Sequence, residues 1–202
     1  LTAGTDFPLA VEVGETNYAY DWMTGIASIS ATASDNVIKV YYETDEKGGG
    51  DDKDDPDGTP DKYQAFAKYN VVNGKWNDDT SAKIINAYEF EHKDGQIIGE
   101  TTKALTTPAV GEKPNTGYKA GAWDTTPATT ISANQTLEYT YTYVKDSYAY
   151  TVEYYYDGTK GDAPKDATTG GTAVFESAVA LTAGTDFPTS VKVGETNYAY
   201  DW

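Results

Sequence analysis

The chain opens and closes on the same peptide, and no other feature constrains its fold as tightly. LTAGTDFPLAVEVGETNYAYDW occupies residues 1–22 and LTAGTDFPTSVKVGETNYAYDW occupies residues 181–202, with differences only at Leu9/Thr189, Ala10/Ser190 and Glu12/Lys192. Near-identity between copies that start at residues 1 and 181, an offset of 180, is the signature of a tandem array. The expectation is one repeat period plus an overlap, so that the 202 residues are a window on a longer polypeptide.

A weaker echo lies between the two copies. Residues 110–124, VGEKPNTGYKAGAWD, keep the Val-Gly-Glu opening, an Asn, a Tyr and a closing Trp, and the runs after Trp22 and Trp123 close on Asp45 and Asp146 at equal spacing. Each period therefore holds two related modules. The boundaries that follow are 1–45 for the C-terminal part of a first module, 46–62 for an acidic linker, 63–146 for a complete second module, and 147–202 for the N-terminal part of the next first module.

Modules of this size sit where one hydrophobic core is possible but marginal. Disulfides often compensate in small extracellular domains, yet the chain has no Cys, which also removes thiolate nucleophiles and zinc–thiolate sites. All 15 cationic side chains are Lys, and the net charge is −17. Without Arg and with a strongly negative field, phosphate, nucleic acid and anionic membrane are poor partners. One His, no nucleophile elbow and no phosphate loop leave nothing that points to catalysis. No apolar run is long enough to span a bilayer.

The local pattern favours β structure, with 18 Tyr, 19 Gly and many Thr and Val. Strands are expected at 37–42, 84–90, 96–98, 137–143 and 148–156, with turns at Asn73-Gly74, Asp94-Gly95 and Asp157-Gly158. Asn73-Gly74 in particular reads as a hairpin turn ahead of Trp76. Little room remains for helix. Segments 1–45 and 148–202 each lack strands, so both are expected as incomplete sheets completed by adjacent repeats, with 1–22 and 181–202 adopting the same conformation.

Two family resemblances attach to these residues. The second module, with GYKAGAWD, Pro127, Ile131 and EYTYTYVKD, resembles the β-grasp repeats of the internalin B-repeat and Listeria-Bacteroides type. The first, with YTVEYYYDG and NVIKVYYETD, is similar to mucin-binding-protein (MucBP) modules. The resemblance implies a mainly β chain with two small β-grasp-like modules per 180-residue repeat, strung as an elongated array. It also implies an extracellular, surface-attached protein of a Gram-positive bacterium, a stalk, filament or adhesin whose partners are its own adjacent repeats and host or environmental glycans.

Candidate sites are few. The run from Asp51 to Asp61 resembles the calcium loops of thrombospondin-type-3 linkers, with Asp55, Asp57 and Asp61 as candidate ligands and Lys53 in place of a first carboxylate. A Trp at the same point of each module (Trp22, Trp123, Trp202) reads as core, whereas Trp76 is open between core and a sugar-stacking platform. Lys39 is a candidate for a Lys–Asn isopeptide bond, set against the ordinary solvent-facing lysine. His92 reads as a solvated residue. The leading function is a non-enzymatic stalk or filament, and the alternative is a glycan- or mucin-binding adhesin.

Overall fold

A computed structural model describes residues 1–26, 28–48, 56–81 and 83–201, with only the backbone of Ile84. The chain is mainly β, and among the described residues its helical elements are two 3₁₀ turns, Ala33–Asp35 and Asp61–Tyr63.

Residues 1–45 form a three-stranded antiparallel sheet in the order β1-β2-β3: β1 (Ala10–Val13), β2 (Thr16–Met23) and β3 (Val40–Thr44). Gly14, at φ 69°, takes the first position of the two-residue turn between β1 and β2, where a side chain would be strained. The last strand starts three residues later than the Val-rich run at 37–42 suggests, because Val37 and Ile38 are exposed and pairing begins at Val40.

Residues 63–146 carry β4 (Gln64–Val72), β5 (Ile84–Glu89), β6 (His92–Lys93), β7 (Gln96–Ile97), β8 (Thr102–Ala104), β9 (Tyr118–Trp123), β10 (Thr130–Ser132) and β11 (Thr136–Lys145). The main sheet has the order β5-β4-β11-β9, with β4 and β11 parallel at its centre and antiparallel strands outside. A central strand is covered on both faces, which is why residues 64–69 are buried without alternation. On one face Ala65, Ala67 and Tyr69 join Trp76, Phe90, Leu105, Ile131 and Tyr139 in the core. The alternation on β11 does follow its period of two, burying Tyr139, Tyr141 and Tyr143.

Asn73-Gly74 departs from expectation. Asn73 adopts φ 61°, but β5 begins only at Ile84, so the dipeptide turns the chain without closing a tight hairpin. A Cβ on Gly74 would lie 2.2 Å from the Tyr143 ring, so glycine is needed for this close approach. Asp94-Gly95 and Asp157-Gly158 do close two-residue hairpins, each with positive φ at both positions, the geometry that matches strand twist.

Residues 147–201 hold three separate two-stranded ladders. They are β12 (Ser147–Thr151) with β15 (Gly170–Val174), β13 (Tyr154–Tyr156) with β14 (Thr159–Gly161), and β16 (Ser190–Val193) with β17 (Thr196–Ala199). The strand expected over 148–156 is thus broken at Val152-Glu153, and its halves pair differently. Among the described residues no ladder joins 23–45 to 148–180, since β3 pairs with β2.

The duplicated peptide folds the same way twice. Val13↔Thr16 and Val193↔Thr196 close the two hairpins in equivalent register. Ala3 bridges Phe7 as Ala183 bridges Phe187. The amide of Thr2 donates to Asp6 Oδ2 at 2.7 Å, and that of Thr182 to Asp186 Oδ2 at 2.7 Å. Phe7 meets Tyr20 at 5.2 Å and Phe187 meets Tyr200 at 4.9 Å between ring centres.

Candidate functional site

The acidic stretch is the first candidate, and its described part is bonded into the fold rather than left as a loose linker. The Asp45 carboxylate, almost wholly buried, accepts the backbone N–H groups of Asp57 at 3.2 Å and Gly58 at 2.9 Å. Asp61 Oδ1 accepts those of Glu46 at 3.1 Å and Lys47 at 3.0 Å. Asp57 Oδ1 accepts from the Thr59 amide at 2.9 Å, and its Oδ2 from Gln64 Nε2 at 2.8 Å. These carboxylates fasten residues 46–48 and 56–62 of the acidic linker at both ends of the segment.

Burial pushes the carboxyl groups of Asp45 and Asp61 up from their ordinary range, against the backbone N–H bonds that pull them down. Two of the three candidate calcium ligands, Asp57 and Asp61, spend acceptor capacity on these bonds, while Asp55 lies outside the described residues. Among the described residues no three His, Cys, Asp or Glu side chains are grouped closely enough to hold a metal ion.

The same junction ties the first segment to the second module. Lys62 Nζ donates to Asp21 Oδ2 at 2.7 Å and to Glu43 Oε1 at 2.9 Å, and the Tyr63 hydroxyl donates to Asp21 Oδ1 at 2.7 Å. Trp22 stacks on Tyr41 at 4.5 Å, and its indole edge lies so close to Gly95 that a Cβ there would sit 2.6 Å from Nε1. His92, expected as a solvated residue, stacks on Tyr63 at 3.8 Å. Lys39 is exposed just before β3, its backbone N–H bonded to Thr24 Oγ1 at 2.8 Å.

Trp76 is not a sugar platform. Only 2% of its surface is exposed, its ring lies 6.4 Å from Trp123, and it belongs to the core of the second module. A ring enclosed in this way has no face for a saccharide to stack on, which corrects its assignment as a glycan contact. Trp22 and Trp123, expected as core, are half-buried, and Trp202 lies outside the described residues.

The aromatic surface lies elsewhere. A cleft of about 690 Å³ separates the hairpin around Asp157 from the second copy of the duplicated peptide, and it is lined by Tyr154, Tyr156, Phe187, Pro188, Tyr198 and Tyr200. Tyr156 meets Tyr198 at 5.0 Å across it. Sequence patterning alone did not find this cleft, since it arises where two segments some 40 residues apart are brought together; the YYY run at 154–156 was the only signal.

Sequence patterning also missed the work done by the tyrosine hydroxyls of β11. Tyr143 Oη accepts the Gly111 and Lys113 amides at 3.0 and 3.1 Å, Tyr141 Oη that of Gly121 at 3.0 Å, and Tyr139 Oη that of Ala128 at 3.0 Å. The strict Tyr alternation therefore fastens β9 at Gly121 and the loop residues Gly111, Lys113 and Ala128 as well as filling the core. Compared with protein-family models, with curated protein sequences and with solved structures, the chain matches none.

Proposed function

We propose that the chain is a non-enzymatic, tandem-repeat stalk or filament segment of a bacterial surface protein, extracellular and surface-attached. The observation that carries this reading is the duplicated peptide: two copies at an offset of 180 residues fold into the same hairpin, with the same capping bonds and ring pairs. A sequence repeat that is also a structural repeat is how solenoids and stalks extend. The sheet order β5-β4-β11-β9 with a parallel central pair supports the β-grasp likeness, although residues 90–117 cross the sheet with β6, β7 and β8 and no helix. Chains of one, two and three 180-residue periods test the proposal by small-angle scattering. The maximum dimension should grow in proportion to period number, and a size that grows only with its cube root would overturn it.

A second reading, a glycan-binding adhesin, is favoured by the aromatic cleft beside Tyr200 rather than by Trp76. It predicts that mucin-type glycans bind the chain and that Tyr200→Ala abolishes the binding.

A further inference from the structure

At the start of β4 a buried amide oxygen is left without a partner. Gln64 is only 5% exposed; its Nε2 donates to Asp57 Oδ2 at 2.8 Å, and its Oε1 accepts no hydrogen bond. A carboxylate can only accept from an amide, so this bond fixes which end of the Gln64 side chain meets Asp57 and leaves the oxygen as the other end. Buried acceptors without a donor are costly and rare, and this one borders a pocket.

The pocket, of about 220 Å³, lies between the acidic segment and the β4–β5 pair. Gly48 and Asp57 line it from the segment, Gln64 and Phe66 from β4, and Ala87 and Glu89 from β5. Strand register explains the grouping: Gln64 pairs with Glu89 and Phe66 with Ala87, and residues directly opposite in an antiparallel pair share a face. It is the face opposite the one on which Ala65 and Ala67 enter the core. Gln64 and Phe66 are buried, whereas Asp57 and Glu89 are exposed. The pocket thus has an unpartnered oxygen at its inner end, two carboxylates at its mouth and an apolar wall of Phe66 and Ala87 between them. No cationic side chain is among the described residues that line it, and the Tyr88 hydroxyl beside it is spent on the Ala104 carbonyl at 3.1 Å.

Three acceptors and no donor select a ligand that is a cation and a donor. Calcium takes about six to eight oxygens, mostly from carboxylates, and only two carboxylates are here. A pocket smaller than the ~300–1,000 Å³ of ordinary small-molecule sites also suits a side-chain-sized group better than a saccharide. A primary ammonium has three N–H donors and no acceptor, and its alkyl stem packs along apolar surface. Asp57 retains capacity for it, since Oδ1 and Oδ2 each accept one bond, from the Thr59 amide and from Gln64, and each carries a second lone pair.

We propose that this pocket binds a primary ammonium group on an alkyl stem, the end of a lysine side chain or a free small amine, sharing its three N–H groups among Gln64 Oε1, Asp57 and Glu89. The stem lies against Phe66 and Ala87. The site is independent of the stalk reading and of the aromatic cleft.

The test uses the full chain at roughly 0.15 M salt, which screens the diffuse attraction of a chain of charge −17 for any cation. Butylammonium is titrated while the side-chain amide signals of Gln64, identified by their loss in Gln64→Met, and the backbone amides of Ala87 and Glu89 are followed by NMR. Saturable shifts with a Kd of order 1 mM are expected. Tetramethylammonium, which has the charge and no N–H, and N-butylacetamide, which has the stem and no charge, should leave these signals in place. Gln64→Met should weaken butylammonium about tenfold, and Glu89→Gln about threefold because its carboxylate is exposed. The near-UV signal of the Trp76 core checks the Gln64→Met fold; if that variant unfolds, Glu89→Gln with the two control ligands carries the test. A capped tripeptide with a central lysine that binds at least as tightly as butylammonium identifies a protein side chain as the natural source, and weaker binding identifies a free amine. Equal shifts with tetramethylammonium overturn the proposal in favour of diffuse charge. Displacement of butylammonium by an equal concentration of calcium overturns it in favour of a metal, and no response to butylammonium leaves the oxygen to water alone and overturns it as well. None of these outcomes bears on the scattering test of the stalk.

Discussion

Lys62 Nζ stands 2.7 Å from Oδ2 of Asp21, whose side chain is fully covered while that of Lys62 keeps 30% of its surface. Breaking a buried pair by removing one partner costs about 3–5 kcal/mol, whereas exposed pairs are worth about 1 kcal/mol or less. With one partner a third exposed, Lys62→Met should cost about 2 kcal/mol, read as a lower urea midpoint of the full chain. A change within error would show that the junction is held by packing alone.

The same residues set an alkaline limit. Burial pulls the Lys62 ammonium down, but its bonds to Asp21 and Glu43 outweigh this and hold it above its ordinary value; burial and then Asp21 push the Tyr63 hydroxyl up to about 12. Both groups keep their protons more firmly in the folded chain. Their contribution is thus complete below their ordinary values near 10 and is lost as pH rises through the folded ones. Stability should fall above about pH 10 in wild type, and the fall should be shallower in Lys62→Met. Equal slopes would mean that this cluster does not titrate with unfolding.

Trp76→Ala should cost the second module about 3–5 kcal/mol, the usual range for a buried aromatic. Trp123→Ala should cost less, because Trp123 is half-buried although it meets Tyr69 at 6.0 Å and Tyr141 at 5.5 Å. Thermal unfolding that ranked the two in the opposite order would contradict the burial seen here.

The contrast between these tryptophans shows what the sequence could carry. Period-two runs such as 137–143 announce a strand and its inward face, and Asp94-Gly95 announces a hairpin, because both signals are local. Whether Trp76 lies under the sheet is decided by Gly74 bridging Pro114 and the Lys75 amide bonding the Lys113 carbonyl, contacts some 40 residues apart that no spacing rule encodes. The hydrogen bonding of the acidic segment was not legible for a related reason. Composition reports that Asp-rich chain cannot bury apolar area, but it does not report that Asp45 and Asp61 find backbone amides on the opposite side of the loop. The cleft beside Tyr200 was invisible because segments far apart in the sequence, around Tyr154–Tyr156 and around Phe187 and Tyr200, make it together, and no local pattern reports their meeting.

Gly121 tests the register of the outer strand. A Cβ there would lie 1.8 Å from the Thr142 carbonyl oxygen, at the irregularity where the β9–β11 ladder shifts between Thr142 and Val144. Backbone cannot give way as a side chain does, so Gly121→Ala should cost at least the upper end of the ~1–3 kcal/mol typical of overpacking. Gly25→Ala, with nothing within 4 Å of its Cβ, is the control and should be nearly silent. Similar melting shifts in the two variants would argue against this close approach.

Asp61 separates a structural carboxylate from a calcium ligand. It accepts the Glu46 and Lys47 amides, and burial holds its carboxyl above the ordinary 3.8. A raised carboxyl favours the folded state most below the unfolded value, and this contribution disappears as pH rises through the folded one. Asp61→Ala leaves two amides without their partner, each worth about 1 kcal/mol. It should lower the melting midpoint equally in calcium and in chelator, and it should remove part of the relative gain on acidification toward pH 4. If the variant instead matches wild type in chelator and falls behind only when calcium is added, the carboxylate serves the ion and the hydrogen bonds to Glu46 and Lys47 are incidental.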